Sequence, residues 1–114
     1  MEIQSMDSYG QALLDFHNGI LSATINVHRD DGLADPLPAA VFFRNAPEFS
    51  PIEQAALALC KGEVLDIGAG TGCHSLALQE RGLRILAIDI SPQAVEIMKQ
   101  RGVANTRLVN VYEY

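Results

Sequence analysis

The sequence predicts an α/β fold built on a parallel sheet, and the pattern of residues 50–114 is the reason. Short, almost continuously apolar segments recur there at Val64–Ile67, Ile85–Ile88 and Arg107–Val111. Helical patterns bounded by capping residues and glycines separate these segments. Because strands that are buried on both faces alternate with helices in parallel sheets, this order indicates right-handed βαβ units.

Length and composition favour a single soluble, globular domain. The chain has 114 residues, of which 48% are apolar and 19% charged, values typical of folded proteins. Its 14 acidic and 8 basic side chains give a net charge of −6, so a nucleic-acid platform or an anionic membrane surface is not indicated. No apolar run reaches the roughly 20 residues of a membrane span. The first ten residues lack a basic flank and an apolar stretch, so we expect a cytoplasmic protein.

Residues 1–49 are predicted to form an N-terminal extension with a helix and a possible hairpin, on the lid or acceptor side of the molecule. A short amphipathic helix is expected to end near Asn18, and its apolar positions include Ala12, Leu13 and Phe16. Apolar and polar residues then alternate over Leu21–His28, the period of a half-buried strand, up to a turn at Asp31-Gly32. After two prolines, Ala40–Phe43 is expected to be a second extended segment that could pair with the first.

Residues 50–114 are predicted to form the second unit, and its helix boundaries are clearly marked. Ser50-Pro51-Ile52-Glu53 is a capping box with proline at the first helical position. We expect helices at about 51–60, 71–81 and 92–101, the last two stopped by Gly82 and Gly102. The apolar stripe of the last helix is predicted to be core, and it consists of Val95, Ile97 and Met98.

A glycine-rich loop carries most of the functional information. Gly68-Ala69-Gly70-Thr71-Gly72 follows a predicted strand and opens a predicted helix. Glycines there permit positive φ and a close approach of a ligand to the backbone, and a helix N-terminus adds free amides. Asp89 lies 21 residues after Gly68, just past the second strand, where a carboxylate can accept both hydroxyls of an adenosine ribose. The loop therefore predicts a nucleoside site, with a purely structural turn as the alternative.

The neighbours of the loop favour S-adenosylmethionine (SAM) over a dinucleotide. A dinucleotide would place its pyrophosphate on the loop and usually requires a third glycine where Cys73 stands. Asp66, just before the loop, would repel a pyrophosphate but would favour an ammonium group. SAM carries an ammonium group and a cationic sulfonium, and it has no phosphate.

Two segments resemble a known family. Glu63–Gly72 is similar to the first motif of class I SAM-dependent methyltransferases, and Ala87–Ser91 to the second. The resemblance covers about residues 50–111 and implies a Rossmann-like, three-layer αβα fold with its first three strands in the order 3-2-1. It also implies that the loop glycines border the methionine portion, that Asp66 helps to place the amino group, that Asp89 binds the ribose and that Ile90 lies along the adenine. The expected cofactor-binding residues are Asp66, Gly68, Ala69, Gly70, Thr71, Gly72, Asp89, Ile90 and Asn110.

The resemblance leaves the acceptor and the catalytic residues undefined. A complete class I sheet has strand order 3-2-1-4-5-7-6, and the fourth strand and its loop usually carry much of the acceptor chemistry. In a sheet of only the first three strands, Val64–Ile67 would form an apolar edge, which invites pairing with another chain. We therefore expect a homodimer. The function that the resemblance implies is methyl transfer from SAM to an unknown acceptor. The alternatives are a non-catalytic SAM- or nucleoside-binding module and, less favoured, a fragment of an NAD-dependent oxidoreductase.

Other reactive side chains give weaker signals. Cys60 and Cys73 lack the CxxC spacing and the histidines are scattered, so no metal site is expected. His74 could act as a base but is more readily explained as a surface or packing residue. Six further residues could face an acceptor pocket, although each is individually better explained as structural: Tyr9, His17, Arg29, Asp30, Asp31 and Arg44.

Overall fold

The structure is a computed structural model that describes residues 3–28 and 34–110. Helices and strands alternate through its second half, whereas a helix and a hairpin make up the first. The helices are α1 (Ile3–His17), α2 (Pro51–Ala58), α3 (Cys73–Glu80) and α4 (Pro92–Arg101). The strands are β1 (Thr24–His28), β2 (Ala34–Pro38), β3 (Glu63–Ile67), β4 (Arg84–Asp89) and β5 (Thr106–Leu108).

A three-stranded parallel sheet forms the centre of the second half. Strand β4 lies between β3 and β5, with Leu65 opposite Leu86 and Ala87 opposite Thr106. Counted from the first strand of this sheet, the order is 3-2-1, so the predicted α/β fold and strand order are confirmed. The carboxyl ends of β3 and β4 lie side by side, which brings the residues that follow them together.

Local signals set the helix boundaries of this half. The Ser50 hydroxyl accepts a hydrogen bond from the Glu53 amide at 3.2 Å, and the Glu53 carboxylate accepts one from the Ser50 amide at 3.1 Å. The predicted capping box is thereby confirmed. At the other end of the half, α4 stops at Gly102, whose φ of +98° only glycine adopts readily. Residues within one turn of each boundary therefore determine where α2 begins and where α4 ends.

Two apolar clusters lie on either side of α4. One packs Ala87 of the sheet against Val95, Met98 and Val103. The other packs Ala94 and Ile97 against Leu13 of α1, with partly buried residues from the N-terminal part around them. The predicted core stripe of α4 is therefore confirmed, and it serves two cores because alternate sides of the helix face the sheet and the N-terminal helix.

The opposite face of the sheet carries exposed apolar side chains. Leu65 and Ile67 of the edge strand β3 are 43% and 54% exposed. Such residues in a parallel strand are usually covered. Among the helices of residues 3–28 and 34–110, none has the length and apolar character needed to cross a bilayer.

The N-terminal hairpin differs from the sequence prediction. Strand β1 begins at Thr24 and not at Leu21, and its antiparallel partner is Ala34–Pro38. The expected extended segment Ala40–Phe43 is wrong, because Ala39–Phe43 forms a 3-10 helix. Strand β2 tolerates Pro36 and Pro38 because neither position has to donate an amide to β1. The Ala39 amide donates to the Ala23 carbonyl at 2.9 Å, so the positions of β2 that donate to β1 alternate with the prolines. The predicted turn at Asp31-Gly32 lies outside the described residues.

Candidate functional site

The loop between β3 and α3 has the backbone that its glycines predict. Gly68, Gly70 and Gly72 all have positive φ, at +66°, +60° and +83°. The Ala69 amide donates to the carbonyl of Ile88 at 3.0 Å, which fixes the loop to the end of β4. Helix α3 begins at Cys73 and not at Thr71, since Gly72 at its N-cap is left-handed and cannot join the helix.

The three glycines have different surroundings. A Cβ at Gly68 would meet no atom within 4 Å, so this position is open to a ligand. A Cβ at Gly72 would lie 2.7 Å from Val103 Cγ2, so this glycine allows α3 to pack on the core. At Gly70 the nearest atom would be the Tyr9 hydroxyl oxygen, at 3.0 Å. The Ala69 side chain packs against the core cluster around Ala87. Only part of the motif is therefore open to a ligand.

Asp89 connects the loop to the end of β4. Its Oδ2 accepts a hydrogen bond from the Gly70 amide and its Oδ1 from the Ser91 amide, both at 2.9 Å. The side chain is buried, and this desolvation raises its pKa above the ordinary value. Backbone hydrogen bonds from Ser91, Gly70 and Ile90 oppose that rise, and the charge of Asp66 adds to it. Because the two carboxylate oxygens together can accept about four hydrogen bonds, these three backbone donors leave the Asp89 carboxylate with acceptor capacity for a ligand.

Asp66 is the second-last residue of β3, opposite Ala87 of β4. Its Oδ2 accepts a hydrogen bond from the hydroxyl of the fully buried Ser75, at 2.7 Å. This contact joins the strand to the first turn of α3. Two carboxylates, Asp66 and Asp89, are thus held near each other at the carboxyl ends of adjacent strands.

Thr71 is directed into the protein. Its hydroxyl donates to the carbonyl of Phe42 and accepts from Arg101 Nη1 at 2.7 Å, and Arg101 Nη1 also donates to the Thr71 carbonyl at 2.9 Å. The Cys73 thiol donates to the same Phe42 carbonyl at 2.8 Å. These contacts attach the loop to the 3-10 helix of the N-terminal part.

A family model described as "Methyltransferase domain" matches residues 64–112 of the chain. A SAM-dependent methyltransferase from Bacteroides fragilis, solved in complex with S-adenosyl-L-homocysteine, is 41% identical and superposes with a TM-score of 0.87 over 96% of this chain and 45% of that one. This chain is therefore similar in sequence and fold to part of a SAM-dependent methyltransferase. The predicted resemblance is confirmed, and SAM is confirmed as the cofactor type of the family.

Two curated relatives match shorter segments. Magnesium-protoporphyrin O-methyltransferase of Rhodobacter capsulatus is 47% identical over 38 residues, 33% of this chain and 17% of that protein. Malonyl-[acyl-carrier protein] O-methyltransferase of Serratia marcescens is 37% identical over 51 residues, 45% of this chain and 20% of that protein. The chain therefore spans about a fifth of the length of these curated relatives.

The remaining residues predicted for the methyltransferase site lie beyond the loop. Ile90 follows Asp89 and is 44% exposed, so its side chain is accessible to a ligand. Asn110 comes shortly after β5, is half-buried and is already engaged in a contact within the protein. Its contact with an adenine stays a prediction.

A charged cluster that the sequence did not predict joins Arg44 of the N-terminal part to Glu53 of α2 and His74 of α3. Glu53 of α2 accepts two hydrogen bonds from Arg44, at 2.8 and 2.9 Å, and one from His74 Nε2 at 2.6 Å. The Arg44 bonds are the main cause, ahead of that of His74, of a Glu53 pKa well below its ordinary value. The Phe49 ring contacts both the Arg44 guanidinium and the His74 ring. In the sequence, the capping box was the only pattern that singled out Glu53, and it predicted the capping of α2 but not the contacts with Arg44 and His74.

The residues considered for an acceptor pocket do not converge. Arg44 and His74 are bound to Glu53, and His17 Nε2 contacts Gln100 Oε1 at 2.8 Å on the outer side of α4. Tyr9 is the exception, since it lies at Gly70. A cavity of about 250 Å³ lies between α3 and the segment around Arg44, and neither the loop glycines nor Asp89 line it. Three of the candidates lie outside the described residues: Arg29, Asp30 and Asp31.

Proposed function

We propose that this chain binds SAM and forms the cofactor half of a methyltransferase. The observation that carries the proposal is the pair of strand-end carboxylates, Asp66 and Asp89, beside a glycine loop with an open backbone at Gly68. The relative from Bacteroides fragilis, 41% identical over nearly the whole chain, was solved with the demethylated product of SAM.

The charge of this site favours SAM over a dinucleotide. The negative charge of Asp66 acts on Asp89 and disfavours its ionised form. An ammonium or sulfonium group placed between them would relieve this repulsion, whereas a pyrophosphate would increase it. The charges at the strand ends therefore support a cationic, phosphate-free nucleoside ligand.

We assign the site residues as follows. Asp89 would accept hydrogen bonding from the ribose hydroxyls through the acceptor capacity that the Gly70, Ile90 and Ser91 amides do not use. Asp66, held by Ser75, would receive the amino group of the methionine portion. Ala69, Thr71 and Gly72 would contribute through their backbone, because their side-chain positions face the protein. Ile90 would lie along the adenine, with Asn110 nearby.

The chemistry follows from the donor more than from protein groups. SAM supplies an activated methyl group: the acceptor lone pair forms the new bond to the methyl carbon while the carbon–sulfur bond breaks, and its electron pair stays on sulfur. Positioning can therefore supply much of the rate. We nominate no catalytic residue, and the identity of the acceptor stays open.

The free thiols Cys60 and Cys73 are consistent with a reducing compartment such as the cytoplasm.

Two measurements test this proposal. Calorimetry with SAM, S-adenosylhomocysteine and NAD should detect binding of the first two only, and binding of NAD alone would overturn the cofactor assignment. Transfer of labelled methyl groups from SAM to candidate acceptors should then separate an enzyme from a module that only binds SAM. SAM binding without transfer to any acceptor would favour the binding module.

We also propose that the chain self-associates through the edge of β3. The support is the exposed Leu65 and Ile67 on a strand with one unpaired edge within the described sheet. In sedimentation at tens of micromolar the chain should be dimeric, and Leu65→Lys should make it monomeric. Ile52→Lys is the matched control, because Ile52 is also an exposed apolar residue, on α2. A monomeric parent chain would rule out this interface.

A further inference from the structure

The N-terminal helix α1 packs against α4 and reaches the glycine loop beside the proposed cofactor site. At Gly10, a Cβ would lie 2.6 Å from the Ser91 hydroxyl, so α1 touches the start of α4 with no room for a side chain. Ser91 is fully buried and also donates its amide to Asp89. The helix therefore crosses directly beside the residue proposed to bind the ribose.

Tyr9 extends this contact to the glycine loop. Its hydroxyl oxygen lies 3.0 Å from the position that a Cβ would take at Gly70. Its ring packs edge-on against Phe42, with 5.6 Å between ring centroids, and Phe42 in turn accepts the Thr71 hydroxyl bond through its carbonyl. Tyr9, Gly70 and Asp89 thus form one compact group, since Gly70 donates to Asp89.

We propose that Tyr9 is a positioning residue of the cofactor site: it shields Gly70 and Asp89 from water and makes cofactor binding depend on the docking of α1. This inference rests on the proposed SAM site. It assigns to the N-terminal part a role in the site that the motif residues do not reveal. Tyr9 acts through the loop and is not assigned a contact with the reacting atoms.

The electrostatics agree with this geometry. Burial raises the pKa of Tyr9 well above its ordinary value, and the charge of Asp89 adds to the rise. Burial is also the first cause of the raised Asp89 pKa. The titratable groups that act on Asp89 from the packed elements are Asp66 of β3 and Tyr9 of α1. Removing the Tyr9 ring should admit water, which favours the ionised carboxylate.

The test compares Tyr9→Ala with Tyr9→Phe in the full chain. The Asp89 carboxyl pKa is followed by NMR titration without ligand, and SAM affinity is followed by calorimetry as a function of pH. Since a ribose would bind the carboxylate, SAM affinity should fall as the pH drops through the raised Asp89 pKa. In Tyr9→Ala we expect a lower Asp89 pKa, so the loss of SAM affinity on acidification should occur at lower pH. Near neutral pH we expect SAM to bind about tenfold more weakly than to the parent chain. Tyr9→Phe keeps the ring and should keep the parent pKa.

Gln11→Ala is the matched control, because Gln11 is exposed on α1 and its side-chain amide donates to Asp15 of the same helix. It should change neither quantity. An unchanged Asp89 pKa in a folded Tyr9→Ala protein would overturn the proposal. If the parent chain does not bind SAM, the proposed function fails, whereas the ligand-free titration still decides whether Tyr9 shields Asp89.

Discussion

In the motif region, residues 50–110, each helix boundary is set by residues that lie only a few positions away in the sequence. The N-terminal region, residues 3–28 and 34–49, is instead held by contacts between distant parts of the chain. Ser50 and Glu53 cap α2 from within one turn, whereas the Thr71 hydroxyl bonds to Phe42 and His17 contacts Gln100. The comparison teaches that the shape of the cofactor loop is local, while its position depends on the N-terminal region.

Replacing Gly72 should have the largest effect, and it separates the local requirement for positive φ from the tertiary contact with Val103. An alanine Cβ would clash with the buried Val103 at 2.7 Å and would also strain a φ of +83°. We expect Gly72→Ala to lower the free energy of unfolding by about 3 kcal/mol, measured by urea denaturation. Gly62→Ala is the control, because its φ is +65° but no atom lies within 4 Å. It should cost only the strain, about 1–2 kcal/mol. Equal losses would show that the core contact at Gly72 is unimportant.

Replacing Asp89 should have the next largest effect and tests the link between loop and ligand. Asp89→Ala removes the acceptor of the Gly70 amide and the proposed charged partner of the ribose. We expect SAM to bind about 1.5–3 kcal/mol more weakly, roughly 10- to 150-fold, by calorimetry. Glu96→Ala, an exposed carboxylate on α4, should leave affinity unchanged. Unaltered binding in Asp89→Ala would contradict the ribose assignment.

Replacing Glu53 should have the smallest effect and tests the bridge between the two regions. The Glu53 pKa lies below its ordinary 4.5, mainly because of hydrogen bonds from Arg44. A lowered carboxyl pKa gives stability that is present above 4.5 and lost as the pH falls through the folded value. In Glu53→Gln we therefore expect a lower urea midpoint at neutral pH and a smaller loss on acidification.

Glu63→Gln is the control for that experiment. Glu63 pairs with Arg84 at 3.8 Å, and both side chains are more than four-fifths exposed, so the pair should contribute little. Its urea midpoints at neutral and acid pH should match those of the parent chain. If Glu53→Gln behaves in the same way, the Arg44–Glu53–His74 cluster does not stabilise the junction.

Much of the motif region could be predicted from the sequence, and the deviations there are small. The capping box, the stop at Gly102 and the strand order all follow from short-range patterns and from the rules for βαβ units. Strand β5 is shorter than expected, Thr106–Leu108 against Arg107–Val111, and residue 111 lies outside the described residues. The division of the chain at residue 50 stays a prediction.

The sequence by itself determined the backbone of the cofactor loop, because positive φ at a strand-to-helix turn requires glycine whatever surrounds it. Only the tertiary structure decided which loop positions are open and which pack against the protein, as the opposite surroundings of Gly68 and Gly72 show. It also decided that Ala39–Phe43 is a 3-10 helix and that Tyr9 lies at Gly70. Burial and hydrogen bonding depend on partners far away in the chain, and no local pattern encodes those partners.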